Sequence, residues 1–446
     1  KIFIVMGGPS IRQGPEGIKS FLKQREFLDT YIHCEGEKPF ARLVHDFLQN
    51  DGNIIESNLK ELGGSASLLS EGDFVYNPTD NLTDLSDIPS PYLTGLLDNF
   101  LLDGLIPLFE SNRGCPFSCT FCTWGGPLNS VRKFPMDRII NEFDYVSRLI
   151  PKSPYWILAD ANFGLFPRDV EIAKHLAGIS VKNPSLTKVQ IWTSKNRPER
   201  NMEISKIISN LGPTLFAVQT FDPVVEENIK RSNIKAEKAI SIVEGIKQLG
   251  KEAATDVMCG LPSETYESHL NTLRVAFDAG FDFFGVTNIV MLPGSELETP
   301  ESREKFGLRT KYRIRGGSYG EYFGIKVIES EEIIVAHNVF EEDQMNRCRL
   351  IHWLIWLTWN VGFIKPLLSF LQREFQVNPL DFILRIVEKD KNDFPSINYF
   401  FEKFDRDSKD EWFDNTKELE SFCYEPKNWK ELLEQVCYGT VVLGKI

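Results

Sequence analysis

Residues 105 to about 292 alternate between short apolar segments and amphipathic helical segments, and this alternation limits the possible folds more than any other feature. Between the first two apolar segments, Ile139, Phe143, Val146 and Ile150 fall on one face of a predicted helix. Strand–helix units in series predict a parallel sheet with right-handed crossovers. Six units are too few for a closed eight-unit barrel, so we expect an open, partial barrel with its ligand site at the carboxyl ends of the strands. The predicted strands are 106–110, 155–159, 188–193, 214–219, 254–259 and 281–289.

The segments on either side predict two further domains. Residues 1–85 have the pattern of the end of an α/β unit, with strands at 2–6 and 30–33 and a helix at 40–48. Because Lys1 already lies in a strand-like run, we expect some structure to precede it. Residues 86–305 then form the barrel domain and 306–446 a mainly helical region.

The stretch 350–364 contains no Asp, Glu, Lys or Arg. It is shorter than the roughly 20 residues that cross a bilayer, so we predict no integral membrane segment. A buried helix is the favoured interpretation, and a helix lying on a membrane surface is the alternative.

Charge and cysteine usage limit the partners and the compartment. The chain has 446 residues, with 50 Lys and Arg against 63 Asp and Glu, for a formal net charge of −13. Because nucleic-acid binding usually requires a basic surface, we expect no nucleic-acid partner. Of 8 cysteines only three are clustered, which in a chain of this size indicates metal binding rather than disulfides. A reducing, cytoplasmic location is therefore predicted.

The clustered cysteines are Cys115, Cys119 and Cys122, directly after the first barrel strand. Three thiolates at C-x3-C-x2-C spacing can hold three irons of a [4Fe–4S] cluster and leave the fourth iron open to another ligand. A structural zinc site is the alternative, but zinc usually takes four protein ligands and no second cysteine pair lies nearby in the sequence.

This motif, with Phe121 before its last cysteine, resembles that of the radical S-adenosylmethionine (SAM) superfamily over roughly residues 105–300. In that superfamily SAM chelates the open iron. One electron then enters the sulfonium, a C–S bond of SAM breaks, and a 5′-deoxyadenosyl radical forms. The resemblance implies that Phe121 lies beside the adenine and that Asp160 or Asn162 meets the methionine amine. It also implies SAM contacts at Lys195 with Arg197 (carboxylate), Gln219 and Thr220 (ribose), Gly260 (adenine-side turn) and Leu292 (packing on adenine). A capping or turn role for Gln219 and Thr220, and a solvated surface role for Lys195 and Arg197, are the alternatives.

A second set of motifs resembles the cobalamin-binding class of the same superfamily. The motifs are Gly7-Gly8-Pro9 at a strand end, residues 34–40, and residues 84–92 before the cysteine loop. Glycine at a strand end allows a flat ligand to approach the backbone closely. The implied cobalamin contacts are Gly7, Gly8, Pro9, Glu35 and Gly36.

The resemblance as a whole implies a partial (β/α)6 radical SAM barrel, preceded by part of a doubly wound cobalamin-binding domain and followed by a mainly helical region. It implies a cobalamin-dependent methyltransferase acting on an unactivated carbon of a small molecule, lipid or sugar. An external one-electron reductant of the flavodoxin or ferredoxin type would be its partner. The alternatives are cyclisation or ring rearrangement without methyl transfer, and a non-catalytic iron–sulfur binding or electron-transfer protein.

Overall fold

A computed structural model describes residues 2–8, 11–12, 14–33, 35–69, 72–79, 84–124, 130–194, 197–212, 214–231, 235–388 and 394–434. The N-terminal part is a four-stranded sheet with helices on both faces. Its elements are β1 (Val5–Gly7), α1 (Pro15–Lys23), β2 (Thr30–Ile32), α2 (Glu37–Gln49), α3 (Glu56–Glu61), β3 (Ser65–Leu68) and β4 (Phe74–Asn77).

The strands of this sheet lie in the order β1-β2-β3-β4, with β1 parallel to β2 and the other pairs antiparallel. Tyr31 and Ala66 pack against α1 on one face, while Leu43 of α2 and Leu59 of α3 pack on the other. The two predicted strands and the predicted helix are confirmed, as is the double winding. The sequence analysis missed β3 and β4, because four-residue strands carry too little alternation to be recognised.

The middle of the chain contains all six predicted parallel strands. They form two three-stranded sheets, β5-β8-β9 and β10-β11-β12, connected by a hydrogen bond of 2.9 Å from the Val189 N–H to the Leu211 carbonyl. The elements are α4 (Asp98–Leu102), β5 (Leu108–Phe109), β6 (Asn112–Arg113), β7 (Arg132–Lys133), α5 (Met136–Leu149), β8 (Tyr155–Leu158), α6 (Arg168–Lys182), β9 (Lys188–Gln190), α7 (Pro198–Ile207), β10 (Thr214–Gln219), α8 (Pro223–Asn228), α9 (Ala236–Gln248), β11 (Ala253–Cys259), α10 (Tyr266–Asp278) and β12 (Phe283–Asn288). The open, partial barrel is therefore confirmed.

Aromatic packing fixes the short first strand of the barrel. The Phe109 ring lies 4.7 Å from the ring of Phe143 and 5.2 Å from that of Trp156, centroid to centroid, and all three side chains are buried. Rings at these separations, edge to face or tilted, pack favourably. Although β5 has only two residues, this packing fixes its position and therefore the position from which the following loop starts.

The C-terminal region is mainly helical, as predicted, but its first helix is followed by a long antiparallel hairpin that the sequence analysis missed. Its elements are α11 (Pro300–Phe306), β13 (Arg309–Tyr322), β14 (Ile325–Ala336), α12 (Glu342–Ile355), α13 (Lys365–Phe375), α14 (Pro379–Glu388), α15 (Pro395–Asp410), α16 (Thr416–Tyr424) and α17 (Pro426–Glu434). The hairpin joins the end of the barrel through hydrogen bonds from the Met291 N–H to the Glu332 carbonyl (2.7 Å) and from the Ile334 N–H to the Ile289 carbonyl (3.1 Å). The domain boundaries at 85 and 305 remain predictions.

The uncharged stretch 350–364 lies in α12 and in the π-helical turn Trp356–Asn360 that follows it. Ile351, Ile355 and Trp359 are buried against α10 and the barrel, as the buried-helix interpretation predicts. Within the described residues, no single helix has the length and apolar character to cross a membrane. One pair of helices, Glu342–Asn360 and Lys365–Phe375, meets both criteria when the two are taken together, but the pair is bent by 90°.

Candidate functional site

The three clustered cysteines lie on a loop at the carboxyl end of β5, just after the short strand β6. Gly114, immediately before Cys115, has φ +100°, and a Cβ there would collide with the carbonyl oxygen of Ser130. Only glycine therefore suits this entry to the loop. The Cys122 N–H donates to the Cys119 carbonyl at 3.0 Å, which makes the loop compact. Cys115 and Cys119 are half-buried and Cys122 is exposed, so the thiols of this loop are accessible to a ligand.

Backbone hydrogen bonds hold the cysteine loop from two sides. The Thr120 N–H donates to the Ile229 carbonyl, just after α8, at 3.1 Å, and the Thr120 carbonyl accepts from the Leu297 N–H at 3.0 Å. Phe121, the next residue, packs against the apolar cluster that contains Ile229 and Leu261. The loop that follows β5 is thus fixed to segments that follow β10, β11 and β12. Phe121 is half-buried, and its place beside an adenine remains a prediction.

Asp160, after β8, is fully buried and orients the start of the cysteine loop. Its carboxylate accepts hydrogen bonds from the Ser111 N–H (2.7 Å), the Asn112 N–H (3.1 Å), the Asn112 side-chain amide (2.8 Å) and the Ser111 hydroxyl. Burial raises the pKa of Asp160 to about 6, although these hydrogen bonds act in the opposite direction. Asp160 is accordingly a positioning residue, and its contact with a methionine amine stays a prediction.

Asn162, after β8, forms a hydrogen bond to a cysteine sulfur of the loop. Its side-chain amide donates to the Cys115 Sγ at 3.2 Å, and its side chain is buried. Hydrogen bonds to the sulfur ligands are one of the means by which a protein adjusts an iron–sulfur cluster. The structure thus brings Asn162 to the cysteine loop, while its contact with the methionine amine remains a prediction.

Gln219, the last residue of β10, has a left-handed backbone conformation and a buried side-chain oxygen. It has φ +62°, and the pairing register with β11 shifts between Phe216 and Gln219. Its Oε1 is buried and, among the described residues, has no hydrogen-bond partner. Because buried polar atoms are normally paired, this oxygen suits a hydroxyl donor of a bound ligand. The strained backbone has the character of a functional position.

Thr220 differs from its neighbour, because its hydroxyl is used within the protein. It accepts from the Asp222 N–H at 3.0 Å and lies 3.4 Å from the Thr272 hydroxyl. These contacts fit the turn role, and the ribose contact of Thr220 remains a prediction.

The remaining four predicted SAM contacts follow other strands of the barrel, and one of them lies outside the described residues. Gly260, after β11, has φ +89°, and a Cβ there would lie 2.8 Å from the Met345 Cε. Leu292, after β12, is 38% exposed and so is open to a flat ligand. Lys195 lies outside the described residues, and Arg197, directly before α7, is exposed. All of these contacts remain predictions.

Arg231, which the sequence analysis did not single out, is a buried cation at the cysteine loop. Its side chain is only 5% exposed, donates to the Ala217 carbonyl and forms a hydrogen bond with Cys119. Burial lowers the pKa of Arg231, and the neighbouring Cys119 partly opposes this shift. Its neighbour Lys230 is exposed and paired with Glu296 at 2.6 Å, so sequence alone does not distinguish the two cations.

The N-terminal sheet contacts the cysteine loop through Glu35. Its carboxylate lies 3.4 Å from Arg113 Nη1 and accepts from Arg132 Nη1 at 2.9 Å. Since Arg113 stands two residues before Cys115, this contact connects the two domains at the loop. Burial tends to raise the pKa of Glu35, but hydrogen bonding and attraction to Arg132 and Arg113 outweigh it and lower that pKa.

The other predicted cobalamin contacts lie at strand and helix ends of the same sheet. Gly7 ends β1, and a Cβ there would lie 3.1 Å from the Ile32 carbonyl oxygen, while the Gly8 carbonyl accepts from the Tyr31 hydroxyl. Gly36 stands directly before α2, and Pro9 lies outside the described residues. Their contacts with cobalamin remain predictions.

We expect Glu35→Gln to lower the free energy of unfolding by about 1–3 kcal/mol, between the ranges for exposed and buried ion pairs. The change leaves two partly buried arginines without their shared anion. Because the folded pKa of Glu35 lies below its ordinary value of 4.5, its contribution is present above that value and is lost as the pH falls through the folded pKa. Urea unfolding at several pH values measures this, with the exposed Glu252→Gln as the matched control. Equal stability of the two variants at pH 7 would contradict it.

Comparison with known families identifies the class of protein. Residues 109–276 match the radical SAM superfamily. This span begins in β5, contains the cysteine loop and ends in α10. This part of the chain is a radical SAM domain, the domain of a superfamily of enzymes, and the predicted resemblance is confirmed.

Among individual relatives, the chain is 31% identical over 356 residues to the cobalamin-dependent radical SAM methyltransferase TokK of Streptomyces tokunonensis. It is 27% identical over 367 residues to a 2-(S-pantetheinyl)-carbapenam-3-carboxylate methyltransferase of Streptantibioticus cattleyicolor. These alignments cover 77% and 78% of this chain but 50% and 51% of the relatives. The chain therefore spans about half the length of the curated relatives that it matches.

Two solved structures have a similar fold. The cobalamin-dependent SAM radical enzyme OxsB, with aqua-cobalamin and SAM bound, matches with a TM-score of 0.53 at 14% identity, over 91% of this chain and 59% of that one. The SAM methyltransferase TsrM from Kitasatospora setae, with tryptophan and aza-SAM bound, matches with a TM-score of 0.52 at 13% identity, over 72% of this chain and 62% of that one. These likenesses confirm the predicted fold class.

Proposed function

We propose that this chain provides the radical SAM core of a cobalamin-dependent methyltransferase, with a [4Fe–4S] cluster on Cys115, Cys119 and Cys122. The observation that carries the proposal is the position of the cysteine loop. It lies at the carboxyl end of the first barrel strand and is held against the N-terminal sheet by Glu35. A cluster held by these cysteines would, once reduced by an external donor, supply the electron that cleaves SAM, and cobalamin held by the N-terminal domain would supply the methyl group.

The residues around the loop support a bound SAM. The unpaired Oε1 of Gln219 can accept from a hydroxyl, and the buried guanidinium of Arg231 can balance the negative charge of a cluster or of a carboxylate. Asn162 and Asp160 keep the loop in place through their hydrogen bonds. The chain's own contribution is therefore positioning and charge compensation rather than proton transfer.

The N-terminal domain is the proposed binding site of cobalamin. The proposed contacts are Gly7, Gly8, Pro9, Glu35 and Gly36. Since the Glu35 carboxylate is engaged by two arginines, its role there is to dock the domain against the cysteine loop. The glycines, whose backbone is open to close approach, are the better candidates for contact with a flat macrocycle. We accordingly assign residues 1–85 to the cobalamin side, 86–305 to the radical SAM barrel and 306–446 to the walls of the substrate pocket.

We propose a small molecule as the methyl acceptor, because a relative that aligns over 78% of this chain is named for methylation of a carbapenam. A lipid or a sugar is the alternative that the sequence analysis left open. An external flavodoxin- or ferredoxin-type protein would deliver the electron.

The test uses anaerobically purified chain reconstituted with iron and sulfide, reduced chemically and supplied with SAM and cobalamin. We expect 5′-deoxyadenosine and, from SAM carrying a deuterated methyl group, methylation of the added cobalamin. Formation of 5′-deoxyadenosine without methylated cobalamin would favour the rearrangement chemistry. Absence of both products would favour a non-catalytic iron–sulfur protein and refute the proposal.

A further inference from the structure

A second group of sulfur and nitrogen donors lies outside the cysteine loop. Cys259 ends β11, His269 lies on α10, and Cys348 and His352 lie on α12. The ligand atoms of these four side chains all lie within 4.8 Å of one another. The two cysteines and His269 are fully buried, and His352 is mostly enclosed.

The helices aim these donors at a common centre. Cys348 and His352 are four residues apart and so share one face of α12, which packs against α10. The His269 Nε2 lies 2.8 Å from the His352 Nε2. Two sulfurs and two imidazole nitrogens therefore converge from three elements of the barrel and the C-terminal region.

A buried carboxylate fixes the orientation of one imidazole. The Glu264 Oε1 lies 3.0 Å from the His269 Nδ1, and both groups are fully buried. In the neutral imidazole, a proton that Nδ1 donates to this carboxylate leaves Nε2 as the nitrogen available to a metal at the centre. This carboxylate–histidine arrangement is typical of the outer shell of metal sites.

We propose that Cys259, His269, Cys348 and His352 bind a zinc ion in a tetrahedral site. Two thiolates and two neutral imidazoles are a preferred ligand set for zinc, and four protein ligands leave no open position, as in structural sites. Binding releases the two thiol protons to solvent and involves no change of oxidation state. The burial of four donors in one place is then explained by a shared ligand.

The zinc would join the C-terminal helix α12 to the barrel beside the predicted adenine-side turn. The other oxygen of Glu264 accepts from the backbone N–H groups of Gly260 (2.8 Å) and Leu261 (3.3 Å). One carboxylate thus connects the His269 ligand with the turn that follows Cys259. The zinc is structural, and it holds this turn in a fixed position.

Two other states of the same four side chains would contradict the proposal. Cys259 and Cys348 are close enough to share a hydrogen bond, so oxidation would produce a disulfide. Alternatively, the four groups remain a metal-free hydrogen-bonded cluster.

The experiment measures zinc and iron per chain in protein purified anaerobically and not reconstituted. We expect about one zinc per chain in the wild type and in the triple variant Cys115→Ala, Cys119→Ala, Cys122→Ala, which loses only iron. Cys348→Ser and His352→Ala should lose zinc. Cys423→Ser, which changes a buried cysteine outside the group, should keep it.

X-ray absorption at the zinc edge of the wild type supplies a readout that needs no variant to fold. We expect two sulfur ligands at about 2.3 Å and two nitrogen ligands at about 2.0 Å. An oxygen-rich shell, zinc-free wild type, a Cys259–Cys348 disulfide, or zinc that is lost only with Cys115, Cys119 and Cys122 would each overturn the proposal. None of these readouts depends on SAM cleavage, so failure here leaves the proposed function standing.

Discussion

Cys122→Ala protein, reconstituted with iron and sulfide, should lack the [4Fe–4S] signal and form 5′-deoxyadenosine only at the rate of a protein-free control. The loop supplies three thiolates, and two cannot hold three irons of the cluster. Cys122 is exposed, with the Trp124 N–H at 3.4 Å from its sulfur, and replacing an exposed side chain by alanine should leave the fold intact. Iron content, electron paramagnetic resonance and product analysis measure the outcome.

Cys423→Ala is the matched control for Cys122→Ala. It removes a buried thiol on α16, far along the chain from the loop, and should keep both iron and SAM cleavage. Normal far-ultraviolet circular dichroism of Cys122→Ala would show that the lost activity is not a folding defect. Full iron content together with unchanged cleavage in Cys122→Ala would refute the assignment of the cluster.

The sequence predicted the elements whose pattern is local. The six barrel strands are recognisable because each is a short apolar run next to a helix with one apolar face. The cysteine loop is recognisable because its three ligands lie within eight residues. Both patterns are complete within a short window of sequence, so no tertiary information is needed to recognise them.

The parts that the sequence did not predict depend on distant contacts. Hairpin β13–β14 has polar residues at many positions and exposes Tyr322 and Ile325, so it lacks the alternation of a half-buried strand pair. Its stability comes from cross-strand pairing and from contacts with the barrel end. The sequence analysis placed Asp160 at a strand end as a predicted SAM contact, but its hydrogen bonds to Ser111 and Asn112 cross 48 to 49 residues and are not visible in the sequence. The four proposed zinc ligands Cys259, His269, Cys348 and His352 likewise lie on three separate elements.

Arg231→Met should shift the reduction potential of the reconstituted cluster downward by about 60 mV or more, a tenfold change in a one-electron equilibrium. The guanidinium is buried beside Cys119, where a positive charge favours the extra negative charge of a reduced cluster. Methionine has a similar length and no charge. The rate of 5′-deoxyadenosine formation should fall with the potential. A redox titration followed by electron paramagnetic resonance measures the shift.

Two further variants separate the charge of Arg231 from its packing. Arg231→Lys keeps the positive charge and should recover part of the potential, although one ammonium cannot reproduce the contacts with both Ala217 and Cys119. Lys230→Met removes the neighbouring exposed cation and should leave the potential unchanged, because solvent screens its charge. If Arg231→Met instead raises KM for SAM and leaves the potential unchanged, the guanidinium serves the SAM carboxylate rather than the cluster. Because the side chain is buried beside Cys119, we expect the potential to respond.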